Sequence, residues 1–145
     1  QKRQPLIKLP PPKKKRKIKL VTNRLSVSLI VMHELSIAHS ILSIAERAVP
    51  AGSKVAVTAV SLQIGELSSI EIESLEFAFL AIRSGTLLEK AELNIEIIPG
   101  EAACSDCGTV FHMDSFGTCC PHCKSFLVKI LKGKELKVLS IMVDE

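Results

Sequence analysis

Cys104-Ser105-Asp106-Cys107 and Cys120-Pro121-His122-Cys123 form two Cys-x-x-Cys pairs separated by twelve residues. A tight turn with this spacing presents two thiolates to one ion. Two such turns facing each other supply a tetrahedron of sulfurs, the preferred environment of structural Zn(II). Gly108 after the first pair and Pro121 inside the second suit the backbone bends of such knuckles. Four protein ligands fill the coordination shell and leave no position for substrate or an activated water. The spacing therefore predicts a structural site rather than a catalytic one. A thioredoxin-like redox centre needs a single Cys-x-x-Cys near a βαβ unit. A sulfur tetrahedron also accepts iron, but zinc is the expected metal. Cys119, the fifth cysteine, is expected as a neighbouring free thiol, and His112 and His122 as surface or outer-sphere residues.

A second chemical possibility sits at Met32-His33-Glu34, where the charge of the chain breaks. Residues 1–31 carry ten Lys/Arg and no carboxylate, whereas residues 32–145 carry nine Lys/Arg and all fifteen carboxylates. His33 alone is unremarkable. If Met32 begins the chain, however, its α-amine, the next amide nitrogen and the His33 imidazole can close fused chelate rings around one ion. Nitrogen-rich, square-planar ligation suits Ni(II) or Cu(II) better than zinc. In the 145-residue sequence Met32 follows Val31 through a peptide bond, which removes that amine. The expectation is a functional chain that starts at Met32, with 1–31 an extension absent from the active form.

The elements that position these residues are legible from periodicity. From Glu34 to Val49 the residues Leu35, Ala38, Ile41, Leu42, Ala45, Ala48 and Val49 recur at helical spacing, ending before Pro50-Ala51-Gly52. Val55 to Ile64 is β-branched and alternating, with Val60, Leu62 and Ile64 on one face. Ser68 or Ser69 is placed to cap a second helix whose buried stripe is Leu75, Ala78, Phe79 and Ile82. Glu71, Glu73 and Glu76 suit its N-terminal dipole and Gly85 its C-terminal stop. Leu93, Ile95 and Ile97 alternate in a strand ending at Pro99-Gly100. Phe126 to Leu131 and Leu136 to Val143 are strand-like and flank a turn at Lys132-Gly133-Lys134. The expected class is α+β: two helices packed on a small mixed sheet, with a zinc-ribbon-like four-cysteine unit inserted between strands.

Met32-His33-Glu34-Leu35-Ser36, Gly65-Glu66-Leu67-Ser68, Leu75-Glu76-Phe77-Ala78-Phe79 and the paired knuckles follow one order along the chain. In that order the chain resembles the HypA/HybF family of hydrogenase nickel-incorporation metallochaperones, over essentially all of 32–145 and none of 1–31. The resemblance implies a nickel-binding α/β domain at 32–98, completed by a C-terminal strand at 135–145, and a zinc-binding domain at 99–134. It implies Ni(II) bound by the Met32 amine, the His33 amide and imidazole and the Glu34 amide, with Zn(II) on Cys104, Cys107, Cys120 and Cys123. It further implies delivery to the large subunit of NiFe-hydrogenase with a GTPase maturation partner, in some organisms a supply to urease, and a contact of Glu34 with the GTPase.

Composition narrows the alternatives. Hydrophobic residues make up 47% of the chain, but with five Phe and no Trp or Tyr the core must be aliphatic. Thin cores of this kind often carry a metal staple. Five cysteines crowded between 104 and 123 do not read as an extracellular disulfide framework, which places the chain in a reducing cytoplasm. No run reaches the roughly 18–20 apolar residues needed to span a bilayer. Leu25 to Val31 has no small-residue cleavage site and is not read as a signal peptide.

The basic run Lys13, Lys14, Lys15, Arg16 and Lys17 looks like a nuclear-import signal or polyanion-binding tail. It is read instead as a disordered segment without a role, because like charges repel. A zinc-ribbon nucleic-acid binder is the main rival function. Against it stand the acidic balance of 32–145 and the lack of a Tyr/Trp stacking platform. An enzyme would need a phosphate-binding glycine loop, a nucleophile elbow or an open metal site, and the sequence offers none of them.

Overall fold

The computed structural model describes residues 13–20, 34–53 and 55–144. Among the described residues nine elements follow one another: β1 Lys15–Lys19, α1 Glu34–Ala48, β2 Ala56–Gly65, α2 Ile72–Arg83, β3 Glu92–Ile98, β4 Glu101–Cys104, β5 Val110–His112, β6 Val128–Lys132 and β7 Leu136–Asp144. They build two sheets, one of order β1-β7-β2-β3 and one of order β5-β4-β6. β2 and β3 run parallel, joined through α2, and all other pairs are antiparallel. The mixed sheet and the two helices are the expected α+β arrangement.

Both helices pack on the four-stranded sheet, and the core between them is aliphatic. Ile37, Ile41 and Ile44 from α1 and Leu75 and Phe79 from α2 meet Val57, Val60, Leu62 and Ile64 of β2 and Val138, Ile141 and Val143 of β7. The stripe on α1 differs from the sequence expectation. Ile37 and Ile44 are buried, whereas Leu35 is 49% exposed. The helix carries apolar residues around more than half its circumference, so spacing alone fits two overlapping faces.

The strands break alternation at two points for a related reason. Val57 pairs with Val143 and Ala59 with Met142, leaving Thr58 as an extra residue. Likewise Ser61 pairs with Ser140 and Leu62 with Val138, leaving Leu139 extra. Each bulge resets the side-chain parity, so Val57 and Val60 both face the core, as do Val138 and Ile141.

Three expectations need correction. Lys15–Lys19, read as part of a disordered segment, is an edge strand paired along β7 from Lys15↔Asp144 to Lys19↔Ser140. Ile18 and Leu20 pack against the main core, and Leu20 N donates to Leu139 O at 3.2 Å. Backbone pairing and two apolar anchors outweigh the repulsion of lysines whose ammonium groups stay in water, and lysine is itself a common edge-strand residue. Neither Ser68 nor Ser69 caps α2. The N-cap is Glu71, without a side-chain cap bond of its own. Ser69 instead takes a positive φ of 60° in the loop before the helix. Gly85 does follow the C-cap Ser84 with φ +71°. Lys132-Gly133-Lys134 is not a hairpin turn, because β6 and β7 belong to different sheets and the chain crosses between them there.

Candidate metal centre

Two backbone knuckles of matching design carry the four cysteines. In the first, Cys104 ends β4, Gly108 N donates to Cys104 O at 3.0 Å and Cys104 N to Thr109 O at 2.9 Å. In the second, Lys124 N donates to Cys120 O at 2.9 Å and Cys120 N to Ser125 O at 2.8 Å. The fifth residue of each knuckle takes a positive φ, 73° at Gly108 and 64° at Lys124. The sequence reading found Gly108 but missed Lys124, whose equal offset from Cys120 was the available signal.

The knuckles face each other. The four Sγ atoms lie within 4.8 Å of one another, with Cys104 and Cys120 buried and Cys107 and Cys123 exposed. Cys104 Sγ is 3.5 Å from Cys123 Sγ, and Cys107 Sγ is 3.6 Å from Cys120 Sγ. A zinc tetrahedron with bonds of about 2.3 Å separates its sulfurs by roughly 3.8 Å, so the thiols fit this ion with only small movements. All five cysteines are free, and Cys119 is partly exposed outside the cluster. Among the described residues, no histidine or carboxylate joins the four sulfurs.

Sulfurs this close cannot all ionise unaided. The Thr109 hydroxyl, 3.2 Å from Cys107 Sγ, and the Thr109 backbone N–H lower the Cys107 thiol to about 5. At Cys123 the Ser125 backbone N–H pulls downward, but desolvation and the three neighbouring sulfurs prevail and raise it to about 12. One thiolate is ready for a metal, while another forms only once a cation offsets its neighbours.

His112 lies away from the sulfurs. Its Nε2 is 2.7 Å from Glu66 Oε2, which also accepts from Gly100 N at 2.9 Å. The Gly100 N–H, then the His112 hydrogen bond, hold the Glu66 carboxyl below its ordinary range. His122 is exposed beside the second knuckle. Of the three residues expected to hold nickel, Met32 and His33 lie outside the described residues. Glu34 opens α1, and its Oε1 accepts from Glu71 N at 3.3 Å. Among the described residues no helix is long and apolar enough to cross a membrane.

An α/β unit with a four-thiolate ribbon at its end defines a metal-binding protein with a closed metal site. Comparison with known proteins makes the class specific. Residues 32–143 match the family described as hydrogenase/urease nickel incorporation, metallochaperone, hypA. The hydrogenase maturation factor HypA of Parabacteroides distasonis is 49% identical over 114 residues, 79% of this chain and 99% of that protein. Its counterpart in Methanocaldococcus jannaschii is 38% identical over 121 residues, 78% of this chain and 98% of that protein. The solution structure of the nickel metallochaperone HypA from Helicobacter pylori covers 76% of this chain and 96% of its own, with 29% identity and a TM-score of 0.52. The chain belongs to the HypA family, and its function is that of a nickel metallochaperone in hydrogenase maturation.

Proposed function

We propose that this chain carries Ni(II) at Met32, His33 and Glu34 and holds structural Zn(II) on Cys104, Cys107, Cys120 and Cys123. The observation that supports it is the family match, which spans 32–143 and so takes in both the Met-His-Glu segment and the sulfur cluster. The division of labour follows from the ligands. Four thiolates make a closed site that keeps its metal. An amine, amides and an imidazole suit nickel and can be vacated one bond at a time. The residues 32–98 with 135–145 act as the nickel-binding domain and 99–134 as the zinc-binding domain. Nickel passes to the large subunit of NiFe-hydrogenase with a GTPase maturation partner, and urease is a second recipient. The chain works in the cytoplasm as a carrier rather than a catalyst.

Titration calorimetry with Ni(II), comparing chains that start at Gln1 and at Met32, tests the assignment. Tight binding should require the Met32 start, because only then is the amine free. In that form His33→Ala should weaken nickel binding by more than about a hundredfold, beyond the 10–100-fold typical of losing an outer-sphere partner. Zinc should remain at about one ion per chain, the content of one four-cysteine site. Equal loss of both metals would overturn the two-site assignment.

A further inference from the structure

The segment Gly65-Glu66-Leu67-Ser68 has no metal role, yet it touches both places where the chain passes between the sheets. Gly65 N donates to Glu135 O at 2.7 Å and Leu67 N to Gly133 O at 2.7 Å, gripping the crossing from β6 to β7. Glu66 N donates to Ile98 O at 2.9 Å, gripping the crossing from β3 to β4. The backbones approach so closely that a Cβ on Gly65 would strike Gly133 O, and one on Gly100 would strike Met113 O. The Leu67 side chain enters the small core of the four-cysteine unit beside Ala102 and Met113.

β5 is itself laddered to β4, and Met113 N donates to Gly100 O at 2.9 Å; to these contacts one side-chain pair adds a direct tie between β5 and the loop after β2. Glu66 Oε2 bridges Gly100 N, at the root of β4, and His112 Nε2, at the end of β5. The pair buries little: the His112 side chain is 59% exposed and that of Glu66 31%. Its contribution is therefore direction rather than packing, as expected for a short bond between a carboxylate and an imidazole N–H. The same loop reaches α1 at Glu71, whose N–H is held by Glu34 Oε1 at 3.3 Å. Loop 65–71 thus has one grip on the opening residue of α1 and another on β5.

We propose that Glu66 and His112 are a positioning pair, which helps fix the four-cysteine unit relative to the helix–sheet unit and so sets how fast nickel is handed on. This rests on the nickel assignment above only for its last clause. Neither residue touches the metal, so affinity for nickel and zinc should be unchanged. The hand-over rate should fall by roughly 2- to 30-fold when the pair is broken, the range for residues that transmit coupling.

The test uses Glu66→Ala, His112→Leu and the double variant, since a Gln at either place could still make the bond. His112→Leu leaves Glu66 Oε2 to accept from Gly100 N and changes an exposed side chain, so folding is not at stake. In the zinc-loaded full chain, residual dipolar couplings read the orientation of 101–132 against α1 and α2. Imidazole nitrogen shifts read the bond at His112 Nε2. Each single variant should change the orientation, Glu66→Ala should also shift the His112 nitrogens, and the double variant should change the orientation no further than Glu66→Ala, because the two residues act through one bond. Unchanged orientation in His112→Leu, or additive changes in the double variant, would overturn the pair. Nickel transfer to hydrogenase large subunit is then measured with the form that binds nickel in calorimetry. A slower transfer at equal nickel affinity supports the positioning role, and an unchanged rate overturns it. Absence of nickel binding in every unsubstituted form would strike the nickel assignment alone, since the orientation measurement does not involve nickel.

Discussion

Thr109 favours the thiolate of Cys107, in contrast to Cys123 across the cluster. Its hydroxyl and backbone N–H both favour the Cys107 thiolate, giving a value of about 5, while Cys123 stays protonated to about 12. Metal binding must displace whatever protons the thiols still hold, so affinity falls as pH falls. Above pH 5 Cys107 has already lost its proton and adds nothing to that slope. Below pH 5 it adds one proton to the competition. Thr109→Val removes the hydroxyl while leaving the backbone N–H, and should raise the Cys107 value. The steepening of zinc affinity against pH should then begin at a higher pH than in the unsubstituted chain. Competition titrations with a zinc-sensitive dye from pH 4 to 8 measure this directly. Coincident profiles would show that the hydroxyl does not tune the site.

At the scale of elements, the strand formed by Lys15–Lys19 is the clearest departure from what the sequence suggested. Charge runs say that a segment is solvated; they do not say that its backbone lacks a partner. The partner here is β7, about 120 residues away in sequence, and no local pattern marks its open edge. Alternation in Arg16, Ile18 and Leu20 was the only trace. Ile18→Asp should free the strand, because it removes an apolar anchor and brings a charge against the core. The expected loss is about 1–2 kcal/mol, with faster amide exchange along 140–144 and unchanged zinc content. If those amides stay protected, backbone pairing alone holds the edge.

Elsewhere local rules sufficed. Strands β2, β3 and β7, both helices and the four zinc-ligand candidates followed from period and spacing. β4 and β5 did not, because strands of four and three residues are too short to show a period, and they exist as partners in a sheet where β4 lies between β5 and β6. The Glu66–His112 contact was hidden for a similar reason: its residues lie 46 positions apart and meet only because the two sheets join there.

The whole molecule divides its stability unequally between its parts. The main core draws on α1, α2, β2 and β7 with Leu88 and Ala91, and takes no residue from 101–132. Apart from the buried Cys104 and Cys120, the four-cysteine unit has only Leu67, Ala102 and Met113 in its core, beside the partly buried Phe111, Val128 and Ile130, and Leu67 is lent by the loop after β2. Three short strands over so small a core do not bury enough apolar surface to offset the entropy of ordering about thirty residues, roughly 1–2 kcal/mol for each backbone. A structural zinc site supplies about 10–16 kcal/mol in small peptides, the term this unit lacks without metal. Chelation should therefore unfold 101–132 alone. Amide signals from that span should collapse to random-coil positions, while the circular dichroism of α1 and α2 near 222 nm persists and the helix–sheet core melts in a separate, later transition. The Glu66–His112 bond and the Leu67 contact would be lost with the unit, but the hydrogen bond from Glu71 N to Glu34 would survive, because both its partners belong to the part that stays folded. A single cooperative transition that takes the helices with the ribbon would show instead that the grip of residues 65–68 binds the two parts into one folding unit.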